Sequence, residues 1–221
     1  MPKQVSNVAA DDYLTAIYRI THDEGQDAIA VRLADRLAIT PPSVAGMLKR
    51  FQRDRLVEVD ARKSIALTRE GLERAEQMVR RHRLAECLLT DVLKLDWWRA
   101  YEEAHLLEHG ISDLTETHLF EALGRPSRSP FGYPIPGPNA PELSMLSLAD
   151  VAEQAEVIID RVFEEDEQLL RFFYEEGFLP DQRVTVILGE PYRGTMTVQV
   201  FREPVVIGTL VAQRIWVRPA S

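Results

Sequence analysis

The chain has only one cysteine, Cys87, among its 221 residues. A single thiol cannot form a disulfide within the chain, which fits a reducing compartment and excludes a small disulfide-stabilised fold. Apolar Leu84, Leu88 and Leu89 stand around Cys87 in the sequence. We therefore predict that Cys87 is a small buried side chain and not a metal ligand.

Long apolar runs are also lacking. No segment approaches the roughly 20 residues that span a bilayer, and Met1–Val5 does not show the basic and then apolar order of a secretion signal. Hydrophobic residues still make up 45% of the chain, enough for ordinary cores. We expect a globular cytoplasmic protein of two or three domains.

Positive charge is scarce overall and concentrated in one region. The net charge of −9 argues by itself against a nucleic-acid partner. Between Arg32 and Arg83, however, thirteen lysines and arginines stand against seven acidic residues. A basic module in an acidic chain is expected where one part docks on a phosphate backbone and other parts bind cations. A basic, solvated helix face is the alternative.

The basic region has the order of a winged helix-turn-helix. Apolar spacing predicts helices over residues 11–20 and 29–37. A third helix opens at Thr40, whose hydroxyl we expect to cap it, with two prolines in its first turn. Two short apolar runs, 56–59 and 64–67, flank a polar corner and predict a two-stranded wing.

The outward face of the third helix is the predicted reading surface. Its small residues permit close approach to a major groove but offer few base-edge donors, so shape readout should contribute to specificity. The predicted DNA-contacting residues are Thr40, Pro41, Pro42, Ser43, Ala45, Gly46, Lys49 and Arg50 on the helix, with Arg62 and Lys63 on the wing. A winged helix that contacts only protein is the alternative.

Helices also dominate the next region. Thr68 should cap a long helix and Asp96 the next. A third helix should start at Ser112 and end near Gly124. The apolar residues between Leu72 and Val92 exceed what one core face requires. We therefore predict that this extra apolar surface is shared with a second copy of the chain.

Two sets of metal-type ligands occur at helical spacing in this region. His82 and Glu86 are four residues apart, and His105 lies three residues before Glu108 and four before His109. Imidazole nitrogens with carboxylate oxygens suit Mn, Fe, Co, Ni or Zn and do not suit copper(I). One such pair alone is more typical of a surface salt bridge, whereas two sets next to a winged helix in the sequence favour a metal site.

A proline-rich stretch separates this region from the carboxyl-terminal part. Residues 126–141 hold six of the thirteen prolines, which predicts a stiff, irregular connector that keeps the modules apart. Beyond it, residues 156–160, 183–187, 195–200 and 215–217 read as short strands around a helix over 166–176. We interpret the acidic run 164–168 as solvated residues capping that helix.

Three motifs carry a family resemblance. They are Arg81-His-Arg-Leu-Ala-Glu86, Glu108-His109-x-x-Ser-Asp113 and Ser127-Arg-Ser-Pro-Phe-Gly132-x-Pro-Ile-Pro-Gly137. Following a winged helix in this order, they resemble the diphtheria toxin repressor family of iron- and manganese-dependent regulators. The resemblance implies an α+β fold of three domains: a winged helix over 1–74, a helical dimerisation and metal-binding domain over 75–142, and a small SH3-like, FeoA-like barrel over 143–221.

The resemblance also implies the ligands. The primary site of the family resembles Asp12 with His105, Glu108 and His109. An aspartate in the first position is typical of manganese-type members, whereas His105 stands where the family carries Cys or Glu, so iron stays a candidate.

The second, ancillary site resembles His82 and Glu86, with Tyr101 in place of the usual second histidine. The site is then weaker, recruits another carboxylate, or is a structural pair. In some relatives the barrel donates a Glu and a Gln to it, and the acidic run 164–168 lies near the corresponding place, so a ligand role for that run is the alternative to capping. Thr15 stands where manganese-type relatives have a Glu, which argues against a binuclear arrangement of that type.

The sequence therefore predicts a metal-dependent DNA-binding regulator, a repressor, that senses Mn(II) or Fe(II) and controls metal homeostasis genes. Its partners should be a double-stranded operator and a second copy of the chain, with Co, Ni, Zn or Cd as substitutes in vitro. The alternative is a winged-helix regulator of a small organic ligand or an oxidant, in which the His/Glu cluster is structural. The winged helix argues against a metalloenzyme.

Overall fold

The computed structural model describes residues 5–220, so residues 1–4, on which the expectation about the amino terminus rests, lie outside it. The chain divides into two compact units, Met1–Arg81 and His82–Ser221. None of the helices in residues 5–220 is long and apolar enough to cross a membrane.

The first unit is a winged helix-turn-helix, as predicted. Its elements are α1 (Val5–Tyr18), extended by a π-helical turn at Arg19–Asp23, α2 (Ala30–Arg36), α3 (Pro41–Arg53), β1 (Val57–Val59), β2 (Ile65–Leu67) and the first part of α4 (Arg69–Cys87). The two strands are antiparallel, with Glu58 opposite Ala66. One apolar cluster, which includes Leu14, Ile17 and Phe51, joins the helices to the wing.

The start of α3 corrects one prediction. Thr40 has an extended backbone and Pro41 begins the helix, but the Thr40 hydroxyl makes no capping bond to a backbone amide. It lies 2.9 Å from the Ser43 hydroxyl instead. The predicted side-chain cap is therefore wrong, because Pro41 and Pro42 have no amide hydrogen and the Ser43 amide donates to the Thr40 carbonyl at 2.9 Å.

Helix α4 begins as predicted. The Thr68 hydroxyl accepts a hydrogen bond from the Gly71 amide at 3.1 Å. Glycine is required at position 71, because an added Cβ would lie 2.0 Å from the Leu56 carbonyl oxygen. Most of the large apolar residues that we assigned to a partner surface are buried within the chain, among them Met78, Val79, Leu84 and Leu89. Most of the surplus thus fills cores of this chain, and Val92, 57% exposed, is the residue of that set left open to a partner.

The helical part of the second unit follows from α4. A π-helical turn at Leu88–Val92 and a 3-10 turn at Trp97–Arg99 precede α5 (Ala100–Glu108) and α6 (Asp113–Ala122). Helix α6 starts after Ser112, as predicted, and the Ser112 hydroxyl caps it by accepting from the Thr115 amide. Asp96 stands before the 3-10 turn without a side-chain capping bond, which corrects its predicted role.

The carboxyl-terminal part is a five-stranded antiparallel sheet. Its elements are β3 (Glu156–Val162), α7 (Glu167–Glu176), β4 (Arg183–Glu190), β5 (Thr195–Val200), β6 (Glu203–Gly208), α8 (Thr209–Ala212) and β7 (Ile215–Pro219). The strands lie in the order β6-β5-β4-β3-β7. Strand β6 was not predicted; it lies at an edge of the sheet, where its exposed Glu203-Pro204 start does not read as a strand.

The proline-rich stretch packs into the second unit and does not separate modules. Phe131, Tyr133 and Ile135 are buried, and Phe131 meets Trp97 edge to face with ring centroids 4.7 Å apart. Phe131 and Tyr133 belong to one cluster with residues of α5 and of the sheet. The predicted connector is thus part of the core, because the apolar side chains at every second position from Phe131 to Ile135 are buried.

Candidate metal centre and nucleic-acid interface

The last turn of α5 and the residue after it present the first set of ligands, which we call the α5 group: His105, Glu108 and His109. His105 Nδ1 lies 3.0 Å and His109 Nε2 lies 3.4 Å from the same oxygen, Oε1 of Glu108. Each of the three side chains offers a ligand atom within 4.8 Å of the others. The helical spacing of three and four residues brings them together, as predicted.

The second set, the α4 group, consists of His82, Glu86 and Glu164. His82 Nε2 lies 3.0 Å from Glu86 Oε1 one turn along α4. Glu164, which follows β3, brings a carboxylate oxygen within 4.8 Å of both. All three side chains are buried, with at most 1% of each residue exposed.

One carboxylate joins the two groups. Glu108 Oε1 faces His105 and His109, whereas its Oε2 lies 2.7 Å from Nδ1 of His82. His82 therefore has a carboxylate at each ring nitrogen, Glu86 on one side and Glu108 on the other. The sequence predicted two separate sets, and only the packing of α4 against α5 shows that they share Glu108.

Glu108 is ionised although it is buried. Burial raises the pKa of this carboxyl, but hydrogen bonds from His105 and His82, together with their charge, outweigh that effect and lower the pKa from 4.5 to about 2. The carboxylate is thus available to a cation at any physiological pH.

The donor set fits a divalent first-row ion. Glu86 Oε2 is buried and has no hydrogen-bond donor among the described residues, a costly arrangement that a bound cation would relieve. Nitrogen and carboxylate ligands without sulfur suit Mn, Fe, Co, Ni and Zn. Cys87 is buried close by in the sequence, and burial raises the pKa of its thiol, which opposes the thiolate form that metals bind.

The other residues singled out from the sequence lie at different positions in the structure. The Tyr101 ring meets His82 edge to face, with centroids 4.9 Å apart. Asp12 lies on α1 of the first unit and is half-buried, as is Thr15. Asp166 caps α7 by accepting from the Leu169 amide at 2.9 Å.

Glu164 is the ligand-type residue that sequence reasoning did not single out within the acidic run 164–168. The interpretation of the acidic run as solvated capping residues holds for Asp166. It is wrong for Glu164, which is buried with a carboxylate oxygen within 4.8 Å of ligand atoms of His82 and Glu86. The signal available was its place two residues after the apolar strand β3; Glu165 is half-buried, and Asp166 and Glu167 are exposed. Only the packing against α4 distinguishes it from its neighbours.

The predicted reading surface is exposed. In α3, Val44, Leu48 and Phe51 are buried and the opposite face is exposed. The exposed residues are Thr40, Pro41, Pro42, Ser43, Ala45, Gly46, Lys49 and Arg50, with Arg62 and Lys63 on the wing. The Asp60 carboxylate shapes the wing tip by accepting from the amides of Arg62 and Ser64 at 2.8 and 2.9 Å.

A winged helix followed in the chain by two joined histidine–carboxylate groups defines a class: metal-dependent DNA-binding regulators. Family comparison agrees over nearly the whole chain. Residues 8–65 match the iron-dependent repressor N-terminal DNA-binding domain, residues 68–137 the iron-dependent repressor metal-binding and dimerisation domain, and residues 146–219 the FeoA domain. The chain belongs to the diphtheria toxin repressor family of iron-dependent repressors.

Individual relatives carry the same names. The iron-dependent repressor IdeR of Mycobacterium tuberculosis is 34% identical over 188 residues, which are 79% of this chain and 81% of that protein. The diphtheria toxin repressor of Corynebacterium efficiens is 43% identical over 125 residues, 57% of this chain and 54% of its own length. A solved manganese-dependent transcriptional repressor in complex with manganese is 29% identical and superimposes with a TM-score of 0.87, covering 95% of this chain and 99% of that one.

Proposed function

We propose that this protein is a cytoplasmic repressor that binds an operator as a homodimer when it is loaded with Mn(II) or Fe(II), and so controls metal homeostasis genes. The observation that carries the proposal is the pair of buried ligand groups joined through Glu108 in a chain whose first unit is a winged helix. The protein is accordingly a regulator and not an enzyme. Double-stranded DNA is the partner that the exposed basic face of α3 fits.

The proposed primary site consists of the α5 group together with Asp12. Asp12 enters through the family resemblance, and its hard carboxylate favours manganese over later, softer ions. His105 adds nitrogen character, which keeps iron as the second candidate. An ion held by Asp12 and by the α5 group would restrict how the reading unit can be oriented. The size of this shift is limited by how much more tightly the ion binds that orientation than the others.

The proposed second site is the α4 group. Glu164 supplies the additional carboxylate that a site with Tyr101 in place of histidine requires. Because Glu164 follows β3, an ion there would tie the FeoA domain to α4 within the same unit. The donors are one imidazole and two carboxylates, and Co, Ni, Zn or Cd should substitute in vitro.

The proposed dimer surface lies in the range that matches the dimerisation domain. Five large apolar side chains there are exposed: Val92, Leu93, Leu106, Leu107 and Leu114, each by 41% or more. Apolar exposure of this extent is typical of a subunit interface. A second copy of the chain is the proposed occupant.

The test is DNA binding by metal-stripped protein on promoter fragments that contain an operator. Mn(II), Fe(II) without oxygen, and Zn(II) are titrated separately at fixed ionic strength. Binding only with metal supports the proposal, and the order of half-saturation ranks the metals. Equal binding with metal and with chelator would make the ligand groups structural and favour a regulator of another signal.

Two variants test the ligand assignment. Asp12→Ala and Glu108→Ala should abolish metal-stimulated DNA binding while sedimentation still shows a dimer. Unchanged stimulation in both variants would remove these residues from the site.

A further inference from the structure

An ion pair between two helices holds the residue next to Asp12. Asp11 Oδ1 accepts a hydrogen bond from Arg74 Nε at 2.5 Å, so that α1 is tied to α4 within the first unit. The Asp11 side chain is buried and that of Arg74 is half-buried, at 11% and 29% exposure. On the same helix, the ion pair of Arg69 with Glu73 is almost fully solvated, at 94% and 64% exposure.

The pair adds a directional contact to the apolar packing of α1. Tyr13, Leu14 and Ile17 bury the core face of α1, but apolar burial is non-directional. A charge-assisted hydrogen bond is directional, so it resists rotation of α1 about its own axis. Successive helical residues are rotated by about 100°, and the anchoring of Asp11 therefore sets the side on which Asp12 appears.

We propose that Arg74 is a positioning residue for the metal ligand Asp12, acting through Asp11. The inference rests on the proposed function, in which Asp12 completes the α5 group. Arg74 does not touch the metal; it fixes the rotation from which Asp12 reaches it. Loss of an indirect positioning contact of this kind should cost about tenfold in metal affinity, the lower end of the effect of outer-shell partners.

The sign of the effect separates positioning from simple electrostatics. Removal of a cation near a metal site strengthens the binding of another cation if only charge matters. If Arg74 acts only through its charge, Arg74→Met should therefore tighten Mn(II) binding. If Arg74 positions Asp12, the same substitution should weaken it. The double variant Asp11→Leu with Arg74→Met removes both charges of this ion pair, so neither is left buried without the other, and it is expected to fold and to show the same weakening.

The experiment is calorimetric titration of the full-length chain with Mn(II). A Glu164→Ala background isolates the α5 group, and a His109→Ala background reports on the α4 group. The variants are Arg74→Met, the double variant, Asp12→Ala and, as the matched control on α4, Arg69→Met. We expect about tenfold weaker binding at the α5 group for the first two, no change for Arg69→Met, and an unchanged α4 group throughout.

Three results would overturn the positioning role: unchanged or tighter binding in Arg74→Met and in the double variant, an equal loss in Arg69→Met, or an equal loss at the α4 group. Asp12→Ala separates this failure from that of the proposed function. If Asp12→Ala leaves the affinity unchanged, the ligand assignment itself is wrong. If Asp12→Ala weakens binding and the Arg74 variants do not, only the positioning role fails.

Discussion

The buried carboxylate of Glu108 contacts histidines of both ligand groups. Its pKa of about 2 lies below the usual 4.5, so the folded state favours the carboxylate. The stability that these contacts contribute is fully present above about pH 4.5 and is lost as the pH falls towards 2. Proton competition at Glu108 therefore does not limit metal binding near neutral pH.

Replacement of Glu164 tests the α4 group. Glu164→Ala should remove about one equivalent of bound Mn(II) per chain and, with it, the stabilisation that this ion adds, about 2.7 kcal/mol at a hundred times its Kd. Thermal melts with and without Mn(II) measure the difference. Glu167→Ala, an exposed acid in the same run, is the control and should melt like the parent. Equal Mn(II) stoichiometry in both variants would exclude Glu164 as a ligand.

The single thiol should be inert. Burial raises the pKa of Cys87, so the unreactive thiol form persists well above neutral pH. We expect a disulfide reagent to label the native chain at least a hundredfold more slowly than the chain in denaturant. Fast labelling of the native protein would instead favour an oxidant as the signal.

At the scale of elements, α3 has one buried and one exposed face. Lys49→Ala and Arg50→Ala should each weaken operator binding and reduce the slope of log K against log salt by about 0.9 per lost phosphate contact. Metal affinity should not change. Arg193→Ala, on an exposed turn between β4 and β5, is the control. A salt slope equal to that of the parent would place the DNA elsewhere.

Gly132 locks the proline-rich stretch against β3. Its φ is +95°, and an added Cβ would lie 2.2 Å from the Asp160 carbonyl oxygen. Gly124 also has a positive φ, +77°, but nothing within 4 Å of an added Cβ.

Gly124→Ala should therefore lower the free energy of unfolding by about 1 kcal/mol, the cost of a left-handed backbone alone. Gly132→Ala should lower it by about 3 kcal/mol or more, because the backbone must also move. Denaturant melts give both values. Equal losses of unfolding free energy in the two variants would show that the proline-rich stretch can move away from β3 without a cost in stability.

At the scale of the whole molecule, the exposed apolar residues of the helical region predict the assembly. Leu106→Glu and Leu114→Glu should each convert the dimer to a monomer in sedimentation experiments, because a charge would be buried without a partner. Leu210→Glu, equally exposed on α8, should leave the dimer intact. A dimer that survives both helical substitutions would place the interface on another surface.

Local patterns determined much of this protein. Spacing of three and four residues predicted that His105, Glu108 and His109 converge, because a helix places such residues on one side. Apolar periodicity likewise predicted α3, its exposed basic face and the wing. The family motifs then implied the order of the domains, and the family comparison confirms that order.

Contacts between distant parts of the chain were decided only by the tertiary structure. Glu164 joins His82, and Glu108 links both ligand groups, because β3, α4 and α5 pack together over long separations in sequence. Packing also places the proline-rich stretch in the core, where the sequence predicted a connector. It buries most of the surplus apolar residues of α4. Sequence periodicity specifies which side of an element is apolar, whereas the identity of the surface that covers that side depends on how the whole chain closes around it.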